Sequence, residues 1–156
     1  MAVAERLAEL GIELPPVAAP AGSYQPAVRS GEHVWTSGQL PVVDGQMAST
    51  GQVGEGPGLV SPDEANRLAR TCAVNALAAV ASVADLDQVE QVVKVVGFVS
   101  SDPGFTGQPG VVNGASDLLA EVFGDSGRHA RSAVGVAVLP LGASVEVELV
   151  VRLRAA

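Results

Sequence analysis

One stretch limits what this chain can become more than any other: residues 61–84. Ser61 is a good helix N-cap, Pro62 suits the first helical position, and Glu64 stands where a capping box needs it. The stretch predicts a helix from about residue 62 to 84. Ala65, Leu68, Ala69, Cys72, Ala76, Ala79, Val80 and Val83 fall on one stripe at helical spacing. A stripe so rich in alanine lets backbones approach closely. Aromatic residues make up only 3% of the chain, so the core has to be built from Val, Ala and Leu. With 156 residues, 47% of them hydrophobic, a single folded domain spanning 1–156 follows, large enough to need no covalent staple. The apolar fraction also points to apolar surface buried between subunits.

The other elements follow from their periodicities. Residues 2–10 read as a short helix, stopped by Gly11 and by Pro15 and Pro16; residues 1–22 form an N-terminal helix and extension. "AVRSGEHVWT" reads as a hairpin turning at Gly31, and Asp44-Gly45 marks a second tight turn. "VEQVVKVVGFVSS" reads as a strand. A further helix is expected near 111–123, closed by Gly124. Two helices on one face of a mixed sheet give an α+β fold.

Charge and cysteine usage narrow the function classes. The net charge of −8 makes a phosphate backbone an unfavourable partner. A lone cysteine, Cys72, allows no intrachain disulfide and fits a reducing compartment. Glu5 and Glu9 interrupt the place where a signal peptide would carry its apolar segment, and no apolar run is long enough to span a bilayer. A soluble cytoplasmic protein is expected. His33 and His129 are the only histidines, and no cluster has metal-ligand spacing, so no metal is expected and both are read as structural or surface residues.

The C-terminal stretch "GRHARSAVGVAVLPLGASVEVELVVRL" reads as a hairpin of strands 130–138 and 144–154, turning around 140–143. Alternation places Arg131, Ala133, Gly135 and Ala137 on one face, with Glu146 and Glu148 on the same face of the partner strand. The apolar faces would pack under the helices. The opposite face, with its small residues, an arginine and two carboxylates, reads either as a subunit interface or as an ordinary solvated face with weak ion pairs. In this hairpin Arg131 lies ~20 Å from the level of Glu146. Within one chain the two cannot share a small-molecule site. Glu148 is read as structural, paired with Arg152 or a neighbouring chain, and Trp35 as a core residue.

The stretches "VWTSGQLP", "VVNGASDLLAEVFG" and "HARSAVGVAVLPLGASVEVE", with a weaker match at "AGSYQPAV", resemble the Rid proteins. These are the reactive intermediate deaminases, formerly the YjgF family. The resemblance is to longer members carrying an N-terminal helix. It implies a chorismate-mutase-like fold and a homotrimer with sites in clefts between subunits. It also implies hydrolysis of 2-imino acids, formed from enamines, to 2-keto acids and ammonia without a cofactor. By position, Arg131 matches the arginine that grips the substrate carboxylate. Ser37 and Gly38 match the site wall, and Tyr24, Asn113 and Glu146 the remaining site positions, with Arg131, Glu146 and Tyr24 catalytic. Ala133 stands where many members have a substrate-contacting cysteine, and Gly22-Ser23-Tyr24 replaces Gly-Pro-Tyr. A guanidinium fork binds a carboxylate bidentately, and a carboxylate such as Glu146 can take a proton from water. Two other functions are compatible with the sequence: a trimeric small-carboxylate-binding protein without turnover, and a ribonuclease, which the acidic charge disfavours.

Overall fold

The computed structural model describes residues 1–155. In chain order its elements are α1 (Val3–Glu9), β1 (Ala27–Ser30), β2 (His33–Thr36), β3 (Val42–Val43), β4 (Gln46–Met47), α2 (Pro62–Ala81), β5 (Val89–Ser100), α3 (Gln108–Phe123), β6 (Ala130–Val136) and β7 (Val145–Leu153). Five strands form one sheet in the order β1-β2-β7-β5-β6, and β3 pairs with β4 in a small separate ribbon. Helices α2 and α3 cover one face, and α1 packs against α3. The fold is α+β with a mixed sheet, as expected.

Local chemistry sets most boundaries. Ser61 Oγ accepts a hydrogen bond from Glu64 N at 3.2 Å, which starts α2. Gly31 takes φ +62° between β1 and β2, while Asp44 and Gly45 take φ 51° and 78° between β3 and β4. Two successive positive φ values define the turn that suits a two-residue hairpin. Gly124 at φ +60° ends α3. The α2 stripe is buried from Ala65 through Val80, but Val83 lies beyond the helix end and is exposed.

The C-terminal hairpin does not form. β6 pairs with β5 in parallel and β7 pairs with β5 antiparallel, so β5 lies between them. Val92, Val95 and Val99 of β5 are fully buried. A buried strand of this length needs a neighbour on each side for its backbone hydrogen bonds. Residues 137–144, with a 3-10 turn at Pro140–Gly142, pass over the end of β5 rather than closing a tight turn.

This pairing also revises which residues share a face. Arg131 is level with Val95 and Ala133 with Gly97, whereas Glu146 is level with Phe98. Val95 and Phe98 are three residues apart, hence on opposite faces. Arg131, Ala133 and Gly135 therefore lie on the helix-covered side, and Glu146 and Glu148 on the open side. The small residues admit α3 of the same chain. A Cβ on Gly97 would sit 2.6 Å from Val112 Cγ1, one on Gly135 2.7 Å from Gln108 Nε2, and one on Gly114 2.8 Å from the Asn66 carbonyl carbon of α2. The open face instead carries exposed apolar side chains: Val28, Trp35 (56% exposed) and Val134. Trp35 is not a core residue. Arg152 pairs with Glu90 at 3.0 Å rather than with Glu148.

Candidate active site

The expected site residues fall into two separate groups. The first sits where β6, an edge strand, meets α3. Arg131 is partly buried there. Its NH1 donates to Asn113 Oδ1 at 2.7 Å and to Ser116 Oγ at 3.1 Å, and its NH2 donates to the Pro109 carbonyl at 3.3 Å. Asn113 and Ser116 meet the same side chain because residues three apart on a helix share a face. Ala133 follows on the same face of β6, against the core.

All three acceptors around Arg131 are neutral. Among the described residues no carboxylate lies within ion-pair distance of it. A guanidinium carries five N–H donors. With both NH1 protons and one NH2 proton engaged, Nε–H and the other NH2 proton remain. Nε and NH2 together make one edge of the fork, the geometry that receives a carboxylate.

The second group lies on the open side. Glu146 rises from β7 against Gly38, where a Cβ would sit 2.6 Å from the Glu146 carboxyl carbon. Only glycine leaves the carboxylate this position. Burial raises the Glu146 carboxyl above the usual carboxylate range, and the neighbouring charge of Glu148 raises it further. Tyr24 and Gly38 line one cleft of about 110 Å³ with Pro26, Leu40 and Leu141. The Tyr24 hydroxyl accepts from Ala21 N at 3.1 Å, so its proton is free for another partner. Ser37 Oγ donates to the Gln25 carbonyl at 2.6 Å, which leaves it only lone pairs to offer a ligand.

Within one chain the two groups do not meet. Two strand spacings and three residues of rise separate the backbones of Arg131 and Glu146 by about 14 Å, and the side chains leave opposite faces. Cys72, on the buried stripe of α2, is no part of either group. Burial, with the nearby Glu146 charge, holds its thiol well above the ordinary range, so it packs as an apolar residue. Among the described residues no cluster of His, Cys, Asp and Glu could hold a metal ion, and no helix is long and apolar enough to cross a membrane.

A family model described as "YjgF/chorismate_mutase-like, putative endoribonuclease" matches residues 4–153. The chain belongs to this family. Among its relatives, protein TCP17 of Trypanosoma cruzi is 49% identical over 154 residues, covering 97% of this chain and 94% of the relative. The crystal structure of Atu1372 from Agrobacterium tumefaciens is similar with a TM-score of 0.86 at 45% identity, covering 97% and 92% of the two chains. A Shewanella oneidensis structure described as a "putative endoribonuclease" has a TM-score of 0.92 at 32% identity, covering 98% and 100%. The N-terminal helix and extension of this YjgF-like chain are thus within the matched structure.

Sequence reasoning missed two residues beside Arg131. Ser116 contacts it directly, and His129 Nε2 lies 2.9 Å from Ser116 Oγ. Their signals were present: Ser116 is three residues after Asn113 on the same helix, and His129 precedes Arg131 by two.

Proposed function

We propose that this YjgF-like protein hydrolyses 2-imino acids, and the enamines that tautomerise to them, to 2-keto acids and ammonia. The proposed sites lie between subunits of a homotrimer. Each takes Arg131, Asn113 and Ala133 from one subunit and Tyr24, Ser37, Gly38 and Glu146 from the next. The observation that carries this reading is the Arg131 fork, held by neutral acceptors with one edge free. Such a cation, on a chain of net charge −8, is suited to an anionic small molecule. The exposed Val28, Trp35 and Val134 support burial of the open face against neighbouring subunits.

In the proposed reaction the substrate carboxylate lies on the Arg131 edge. The imine carbon is already electrophilic, so water can serve as the nucleophile. Glu146 takes a proton from the water as the new C–O bond forms and the C=N electron pair moves to nitrogen. The same carboxyl returns the proton to nitrogen to give the carbinolamine, then takes the carbinolamine hydroxyl proton and passes it to the amine as the C–N bond breaks, releasing keto acid and ammonia. A carboxyl held above its usual range suits both roles near neutral pH. The Tyr24 hydroxyl proton is free to hydrogen-bond the leaving amine.

The test generates several 2-imino acids in situ with an amino-acid oxidase and follows their loss. The protein should accelerate it, Arg131→Ala should not, and Arg131→Lys should recover little because an ammonium lacks the planar fork. Binding of 2-keto acids without acceleration would instead identify a small-carboxylate-binding protein. The endoribonuclease activity in the family and Shewanella descriptions has less support here. The chain is acidic, and His129, one of its two histidines, is engaged with Ser116 and Gly127.

A further inference from the structure

Behind Arg131 runs a chain of hydrogen bonds whose direction is fixed at its far end. His129 Nδ1 lies 2.6 Å from the Gly127 carbonyl, which can only accept, so Nδ1 carries the proton. In the neutral ring Nε2 is then an acceptor. It receives the hydroxyl proton of Ser116 at 2.9 Å. Ser116 Oγ, having given its proton away from Arg131, turns a lone pair toward NH1 at 3.1 Å. Each link determines the next, and the last occupies the second NH1 proton of Arg131.

The Gly127 carbonyl is itself held in place. A Cβ at Gly127 would lie 2.6 Å from the Leu119 carbonyl carbon, so this turn rests directly on the backbone of α3. Gln91 Nε2 of β5 donates to the Ser126 and Arg128 carbonyls on either side. The chain thus starts from backbone fixed by both the sheet and the helix.

We propose that His129 and Ser116 are positioning residues for Arg131: together they set the rotation of its guanidinium so that the Nε–NH2 edge faces the carboxylate. Asn113 alone could satisfy one NH1 proton at several rotations. Asn113 and Ser116 together, one turn apart on α3, define the plane. The neutrality of the device matters as well. A carboxylate at position 116 could also hold the guanidinium, but it would compensate the charge that the ligand is meant to meet.

This inference rests on Arg131 being the carboxylate grip, and the experiment separates the two claims. The full-length protein is titrated calorimetrically with 2-oxobutyrate, alongside Arg131→Ala, Ser116→Ala, Ser116→Thr, His129→Phe and the Ser116→Ala/His129→Phe double variant. Ser116→Ala should weaken binding about tenfold, the scale of one hydrogen bond to a charged group. Ser116→Thr keeps the hydroxyl and should restore most of the affinity. His129→Phe should weaken binding in the same direction. The double variant should be no weaker than Ser116→Ala, because His129 acts only through Ser116. Multiplying effects in the double variant, or unaltered affinity in Ser116→Ala, would overturn the positioning chain. Loss of binding in Arg131→Ala accompanied by unaltered Ser116→Ala would leave the grip standing and remove the chain alone. Full binding by Arg131→Ala would remove both. If His129→Phe does not fold, the contrast between Ser116→Ala and Ser116→Thr still decides, with thermal unfolding confirming that both variants are native.

Discussion

The proposed division of each site between two subunits can be tested by mixing two dead proteins. Arg131 and Glu146 leave opposite faces of the sheet, with β5 between them and their backbones about 14 Å apart. Neither side chain can cross the packed α3–β5 layer, where Val112 lies against Gly97. Arg131→Ala and Glu146→Ala should therefore each be inactive, and for different sites' halves. When the two are co-refolded at equal amounts, a site works only where the Arg131-giving subunit is the Glu146→Ala chain and the Glu146-giving subunit is the Arg131→Ala chain. Random association satisfies both conditions at about one site in four for a cyclic trimer. The mixture should recover about a quarter of the unsubstituted protein's activity, falling off symmetrically as the mixing ratio departs from equality. Native mass spectrometry of differently tagged chains verifies mixing, and oxidase-coupled imine loss measures activity. Mixed trimers with no recovered activity would refute the shared site, because residues belonging to one chain's site cannot complement each other.

Glu148→Gln removes the second cause of the raised Glu146 carboxyl, so the acid limb of the kcat/KM profile should move to lower pH. Because the folded state raises this carboxyl above its unfolded value, ionisation favours the unfolded chain. Stability falls as pH rises through the unfolded and then the folded value, and remains lower above both. Glu146→Gln should consequently raise the unfolding midpoint at about pH 7 and leave it nearly unchanged at about pH 4, near the ordinary range of an exposed carboxyl, while abolishing turnover. Gly114→Ala drives a methyl into the Asn66 backbone and should destabilise the fold by roughly 1–3 kcal/mol in urea unfolding.

Local signals carried the elements and failed on their partners. Gly31, Asp44-Gly45, Ser61 and Gly124 each act within a few residues, and each expected turn or helix end is where the sequence indicates. The C-terminal hairpin looked equally local, yet β5 separates its strands. Nothing in residues 130–154 announces a strand forty residues earlier in the chain, because backbone pairing is blind to side-chain type. Both faces of β6 suffered from the same gap. Small residues at 133 and 135 do signal close approach, but periodicity cannot say whether the approaching body is a helix or another subunit. Trp35 shows the converse: an aromatic in a short strand gives no indication of which side of the sheet is covered. The grouping of Arg131 with Asn113, and of Gly38 with Glu146, was legible only through the family resemblance. Ser116 and His129 lay within helical and strand spacing of those residues, where a search outward from Arg131 finds them.

The position of β7 has a consequence for how the chain reaches this structure. It is the last strand described, yet it lies inside the sheet, between β2 and β5. A chain that has emerged only as far as β6 holds two unjoined pieces, a β1–β2 hairpin and a β5–β6 pair, each with an open edge where β7 belongs. A two-stranded hairpin is marginal by itself, and an unpaired apolar edge invites pairing with another chain. The interval before β7 arrives is thus the aggregation-prone moment in this protein's synthesis, and insertion of that strand joins both pieces in one step. Truncation just before Val145 should yield not a shortened native protein but an insoluble one.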